Sequence, residues 1–176
     1  MIDWLLPGLL AAGLVYAIVI YNLLVRDRQR CRAGWSDIGV QLKRRHDLIP
    51  KLVDAVSQYA AYEKSTLERV SELRSQAATL RGAAQQAALE SDISRRLGSI
   101  FALQEAYPEL KANQSFLQLQ GDISAVEEDI QFARRYYNGA VRNLNTRIES
   151  FPDLLLARIF AFRPAEYFEF EESERK

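Results

Sequence analysis

The chain has 176 residues, 48% hydrophobic and 26% charged, which suits one globular domain plus a membrane anchor and excludes wholesale disorder. Gly (8) and Pro (5) are sparse, so long helices are favoured over turn-rich folds. Cys31 and His46 are the only residues of their kinds, which excludes an internal disulfide framework and the usual Cys/His zinc site.

Residues 4–25 form a charge-free run, long enough to cross a bilayer core, for which about 20 apolar residues are needed as helix. Pro7 sits near its start, where a helix tolerates proline, and Trp4 and Tyr21 stand near its ends as interfacial aromatics do. A cleaved signal peptide would need a basic n-region and a small-residue cleavage site. The chain offers Met1-Ile2-Asp3 and no A-x-A. A buried core helix of this length would rarely be so free of charge. Asp3 precedes the run, and Arg26, Arg28, Arg30 and Arg32 follow it, so the positive-inside rule predicts a short outside N-terminus and a cytoplasmic domain. That orientation implies single-pass residence in the inner, or cytoplasmic, membrane. Gly8/Ala12 and Gly13/Ala17 are small-xxx-small pairs, read as ordinary membrane-helix composition in preference to a surface on which two anchors pack closely.

Net charge is zero, but residues 26–51 hold eight Lys/Arg against three Asp/Glu. Arg26, Arg28, Arg30 and Arg32, with Lys43, Arg44 and Arg45, form a basic collar suited to anionic lipid headgroups. The rest of the chain is acidic in balance and carries no nucleic-acid motif, so no nucleic-acid partner is expected.

Beyond the collar, Ile38, Leu42, Ile49, Val53, Val56, Ala60, Leu67, Val70 and Ala77 recur at steps of three and four, interrupted by Arg45, Glu63 and Arg74. This is one apolar helix face. Pro50 either kinks one helix or lies in the first turn of a second one capped by Asp47. Residues 80–83 read as a turn with Gly82 as C-cap. Residues 84–107 read as a helix through Leu89, Ile93, Leu97, Ile100 and Leu103, stopped or kinked by Pro108. Asn113 is an N-cap candidate for the clearest helix, 113–150, whose apolar residues from Phe116 to Phe151 step by three or four without a miss. Pro152 ends it, and residues 153–162 suggest one more short helix. The tail carries Tyr167, Phe168 and Phe170 among glutamates, suited to local docking or to flexibility. No period-two alternation occurs over a useful length. The expectation is therefore all-α: a single transmembrane helix (1–25) continuing into an elongated antiparallel bundle of three or four long helices (26–163), then an acidic and aromatic tail (164–176).

Several blocks carry a family resemblance: Tyr21-Asn22-Leu23-Leu24-Val25-Arg26, Trp35-Ser36-Asp37-Ile38, Gln41-Leu42-Lys43-Arg44-Arg45 and Asp47-Leu48-Ile49-Pro50. They continue with residues 105–113 (EAYPELKAN), 116–120 (FLQLQ), Ala133-Arg134-Arg135-Tyr136-Tyr137-Asn138, Val141-Arg142, Asn145, Ser150-Phe151-Pro152 and Tyr167-Phe168. Over roughly residues 16–168 the chain resembles the bacterial LemA family, with a loose match through residues 77–88. The resemblance implies a membrane-anchored helical-bundle protein of the bacterial envelope. It implies no catalytic activity.

The candidate chemistry is thin. His46 adjoins Asp47, but neighbours in sequence do not face each other on a helix, and no nucleophile motif lies nearby, so a structural role is expected. Glu127, Glu128 and Asp129 point around their helix instead of converging, and no His follows at the spacing a di-iron bundle needs, so a solvated face is expected. No P-loop, GxGxxG, HExxH or CxxC occurs. No catalytic, cofactor-binding or metal-ligating residue is therefore assigned. Arg134, Arg135, Tyr137, Asn138 and Asn145 form a polar set along one long helix, read either as groups that fix helix register or as a partner-binding surface. The leading function is a non-enzymatic, self-associating membrane scaffold. The alternatives are an adaptor or regulatory subunit of a membrane enzyme, such as an envelope quality-control protease, and a membrane-remodelling lipid-binding protein.

Overall fold

The computed structural model describes residues 5–80 and 82–169. Asp3, Trp4, Arg81, Phe170 and the last glutamates, used in the sequence reading, lie outside the described residues. Six α-helices and no strand occur among the described residues: α1 Leu5–Ser57, α2 Lys64–Ala77, α3 Ala83–Ala102, α4 Pro108–Lys111, α5 Gln114–Glu149 and α6 Asp153–Ile159. Four are long and two are short, and the class is all-α, as the sequence periodicity predicts.

α1 runs unbroken from the apolar segment into the basic and amphipathic stretch. It is long and apolar enough to cross a membrane. A core helix of a soluble protein would hide such a stretch, but only 11% of its most apolar window is buried. Leu6, Leu9, Leu10 and Leu14 are each about two-thirds exposed or more, and burial begins at Ile20.

Pro50 lies inside α1, which settles the alternative left open above: one helix passes through it. Proline has no N–H, so the His46 carbonyl loses its i→i−4 donor. Arg74 Nε replaces it, 2.6 Å from that carbonyl. The charged Arg74 thus stands on an apolar stripe for a reason.

The stripe from Ile38 to Ala77 is not one helix, however. The chain turns after Ser57, passes through a 3-10 turn at Ala61–Glu63 and restarts as α2. Val56, Ala60 and Leu67 are all buried on either side of the break, so the apolar spacing survives it. The segment 58–63 holds neither Gly nor Pro to announce the turn. α3 ends in a 3-10 turn at Leu103–Glu105, and Pro108 starts α4 at its first turn, the position that tolerates a missing N–H. Asn113 caps α5 as expected, its Oδ1 accepting from Phe116 N–H at 3.0 Å.

The chain divides into two compact units. The first comprises residues 1–36 with 135–166, and the second 37–134 with 167–176. In the second unit α2 and α3 pack as a hairpin. Its core joins Ile49, Leu52 and Val56 of α1 to Leu67, Val70 and Leu73 of α2, Ile93, Leu97 and Ile100 of α3, Leu110 of α4, and Phe116 and Ile123 of α5. In the first unit α1 and α5 run antiparallel. Gly34 makes their close approach possible: a Cβ there would stand 3.1 Å from Tyr137 Cα and 3.0 Å from the Tyr136 ring. Beside it the Trp35 and Tyr137 rings are tilted against each other, 5.5 Å between centroids.

α6 ends in a Schellman motif. Ala161 N–H bonds the Arg158 carbonyl at 3.2 Å and Phe162 N–H bonds the Ala157 carbonyl at 2.9 Å. Ala161 takes the left-handed conformation the motif requires, with φ 52°, where glycine is usual.

Candidate functional site

Two polar assemblies are built on the helices, one in each unit. In the second unit, Arg45 of α1 is fully enclosed, 1% exposed, and so is Glu90 of α3. Arg45 pairs with Glu90 through Nη2 and with Glu127 of α5 through Nη1. Its Nη1 also donates to Ser94 Oγ at 2.8 Å, and Ser94 in turn donates to Glu127 Oε1 at 3.2 Å. His46 Nε2 lies 3.0 Å from Glu90 Oε1, and Gln86 Nε2 donates to the same oxygen at 3.1 Å. Burial pushes the Glu90 carboxyl up, but the His46 hydrogen bond and the Arg45 charge outweigh it and hold the group below its ordinary value. Charges buried to this degree persist only when paired and hydrogen-bonded.

This geometry does not prepare a nucleophile. The Ser94 hydroxyl is directed at Glu127 and at the Glu90 carbonyl (3.1 Å), not at His46, so base and nucleophile are not coupled. No group of three or more His, Cys, Asp or Glu placed to hold a metal ion occurs among the described residues. What the assembly does is tie α1, α3 and α5 of the second unit together at one level.

Two sequence expectations change here. Arg45 belongs to this enclosed network and offers nothing to a lipid surface, so it leaves the basic collar. Glu127 turns toward Arg45 instead of lying on a solvated face. Asp129, two residues on, pairs with Arg44 at 3.2 Å. Glu90 was missed altogether. The available signal was its place on the α3 stripe, three residues before Ile93 and seven before Leu97.

In the first unit, Asp27 of α1 is 3% exposed. Arg147 of α5 donates to it from Nε at 2.8 Å and to Asp153 from Nη1 at 2.8 Å. An open cleft of ≈ 440 Å³ beside this bridge is bordered by Arg26, Arg30 and Arg142 as well. Arg28 places its guanidinium over the Phe162 ring, 4.8 Å from the centroid. Arg32 and Lys43 are exposed. Cys31 is buried, and burial first, then the nearby Asp27, raises its thiol above the ordinary value. It is therefore a poor nucleophile.

The polar set on α5 has backbone partners. Asn145 grips Ala165 by both groups: Nδ2 donates to its carbonyl at 3.0 Å and Oδ1 accepts from its N–H at 2.9 Å. Tyr137 OH donates to the Glu166 carbonyl at 2.8 Å. In the second unit, Arg134 Nε donates to the Phe168 carbonyl at 3.1 Å, and the Phe168 side chain is fully buried. Arg135 is exposed and Asn138 half-buried, and both are engaged in interactions of their own. Arg134, Tyr137 and Asn145 fasten the extended stretch 165–168, a role the sequence does not display because the groups they hold are main-chain atoms.

The family model described as "LemA family" matches residues 34–176. Protein LemA of Metamycoplasma hominis is 29% identical over 146 residues, covering 81% of this chain and 67% of that protein. Magnetosome protein MamQ 2 of Paramagnetospirillum magneticum is 25% identical over 175 residues, covering 85% of this chain and 64% of that protein. Magnetosome protein MamQ of Magnetospirillum gryphiswaldense is 24% identical, covering 90% and 68%. The chain thus spans about two thirds of the length of the curated relatives it matches. With a family match across more than half of its length, the chain belongs to the LemA family.

Proposed function

We propose that this protein is a membrane-anchored, non-enzymatic helical scaffold of the bacterial envelope that self-associates. The observation that carries the reading is α1. One unbroken helix joins an exposed apolar segment of spanning character to residues packed in both compact units. A chain built only to tether an enzyme would need no such continuity. The polar groups found are spent on internal pairing, which favours a structural part over a reactive one.

In this reading residues 4–25 cross the cytoplasmic membrane and the remainder faces the cytoplasm. Arg26, Arg28, Arg30 and Arg32 sit at the headgroups, at about 1 kcal/mol each toward an anionic surface. Carbonate extraction tests the anchor: retention in the membrane pellet is expected, and release into the supernatant refutes it. Cross-linking in native membranes tests self-association. Homo-oligomers are expected, and monomer alone removes the scaffold reading. Recovery of a membrane enzyme in stoichiometric amount, without homo-oligomers, would move the function to an adaptor.

A further inference from the structure

The stretch 151–160 is oriented the wrong way round for an ordinary surface helix. Phe151, Leu155, Ile159 and Phe160 are 79%, 52%, 73% and 52% exposed, while Ala157 faces inward and is fully buried. Leu155 and Ile159 follow one another at i,i+4 on α6, so they share a face, while Phe151 stands just before the helix and Phe160 at its C-cap. Four large apolar side chains exposed within ten residues are the kind of feature that marks an interaction surface.

Its neighbours indicate what covers it. The Phe160 and Phe162 rings pack against Tyr21 of α1, with centroids 4.7 and 6.1 Å away. Tyr21 belongs to the charge-free run of residues 4–25. The largely exposed part of α1, residues 6–19, supplies roughly 21 Å of helix, short of the ~30 Å hydrocarbon core. Completing the span requires residues 20–25 as well, the turns on which Phe160 and Phe162 rest. The patch therefore stands at the level of the bilayer. The charged groups beside it fit a phospholipid surface. Asp153 is neutralised by Arg147, Arg158 and Arg163 are exposed, and Arg28 is held over Phe162. The Schellman motif at Ala161 fixes where the segment turns back.

We propose that residues 151–160 form an interfacial membrane element, seated in the phospholipid surface beside the anchor through Phe151, Leu155, Ile159 and Phe160. An apolar face of this kind lies roughly 5–10 Å into the headgroup–acyl boundary. The inference rests on the reading of residues 4–25 as a membrane span, and the experiment separates the two.

The full chain carrying Cys31→Ser receives single nitroxide labels at Leu155→Cys, Ile159→Cys, Ile18→Cys or Ser124→Cys. It is reconstituted into vesicles of phosphatidylcholine and phosphatidylglycerol. Collision with oxygen and with a neutral nickel chelate is then measured. Expected are nickel collisions several-fold lower and oxygen collisions higher at 155 and 159 than at the exposed site 124, with 18 deeper still. Labels at 155 and 159 as open to nickel as 124, with 18 inserted, overturn the interfacial element and leave the anchor standing. Aqueous behaviour at 18 as well overturns both. Labels at 155 and 159 shielded from both reagents would show a protein covering the patch, and that also overturns the proposal.

Discussion

Pro50 and Arg74 form a pair whose coupling can be measured. An interior proline costs a helix about 3 kcal/mol relative to alanine, partly through the orphaned i−4 carbonyl. Here the orphan is the His46 carbonyl, and Arg74 Nε sits 2.6 Å from it. A charge-assisted hydrogen bond contributes about 1.5–3 kcal/mol. Arg74 is half-buried, which places it at the lower end, so Arg74→Ala is expected to cost ~1.5 kcal/mol. In a Pro50→Ala background, residue 50 regains its N–H and the carbonyl its helical donor. Arg74→Ala should then cost only ~0.5 kcal/mol, leaving a coupling of ~1 kcal/mol. The assay is urea unfolding of the full chain in detergent micelles, followed by far-ultraviolet circular dichroism. With a slope of roughly 2 kcal/mol per M, the midpoint falls by roughly 0.75 M for Arg74→Ala alone and by roughly 0.25 M in the alanine background. Equal shifts in both backgrounds would refute the compensation.

The buried network predicts an acid limb. The folded-state Glu90 carboxyl lies below its ordinary value of 4.5, so its stabilisation is present above that pH and is lost as pH falls through the lower folded value. Thermal melts from pH 7 downward should show stability declining below about pH 4.5, and Glu90→Gln should flatten that decline while lowering stability at pH 7. Gly34→Ala forces a methyl against Tyr137 Cα and the Tyr136 ring, and a loss of about 1–3 kcal/mol is expected in chemical denaturation. Ala161→Gly removes the cost of a left-handed alanine and should raise stability by about 1 kcal/mol, read as a higher melting temperature. Cys31 should react with maleimide far more slowly than an exposed thiol in the folded chain, and at the free rate after unfolding.

Elements with local signals were legible in the sequence. α5 announces itself by an unbroken stripe, an Asn113 cap and Pro152 at its end, and all three signals lie within the helix or beside it. The turn at 58–63 was not legible, because the residues that pack before and after it keep helical spacing and no Gly or Pro marks it. The charged exceptions Arg45 and Arg74 were visible as anomalies on an apolar stripe. Their explanations lie 45 and 28 residues away, in Glu90 and in the His46 carbonyl, and no spacing rule connects them. Asn145 and Tyr137 read as helix-register groups or as a partner-binding surface because side chains are the only partners a sequence displays. Their actual partners are the main-chain atoms of Ala165 and Glu166, which carry no residue signature.

The missing break between the apolar and packed parts of α1 fixes a rotational phase. Within the first unit, Ile20, Leu24, Asp27, Cys31 and Gly34 are all buried, and they follow one another at steps of four and three along one side of the helix. Each residue advances an α-helix by about 100° and 1.5 Å. One residue inserted between Val25 and Arg26 would therefore swing Ile20 and Leu24 off that side and carry Tyr21 away from Phe160. Seven inserted residues would nearly restore the angle while displacing the two parts by about 10 Å. The apolar segment of α1 is thus indexed to the folded part like a keyed shaft: the side of it that packs is held in phase with Asp27, Cys31 and Gly34, beyond the apolar run.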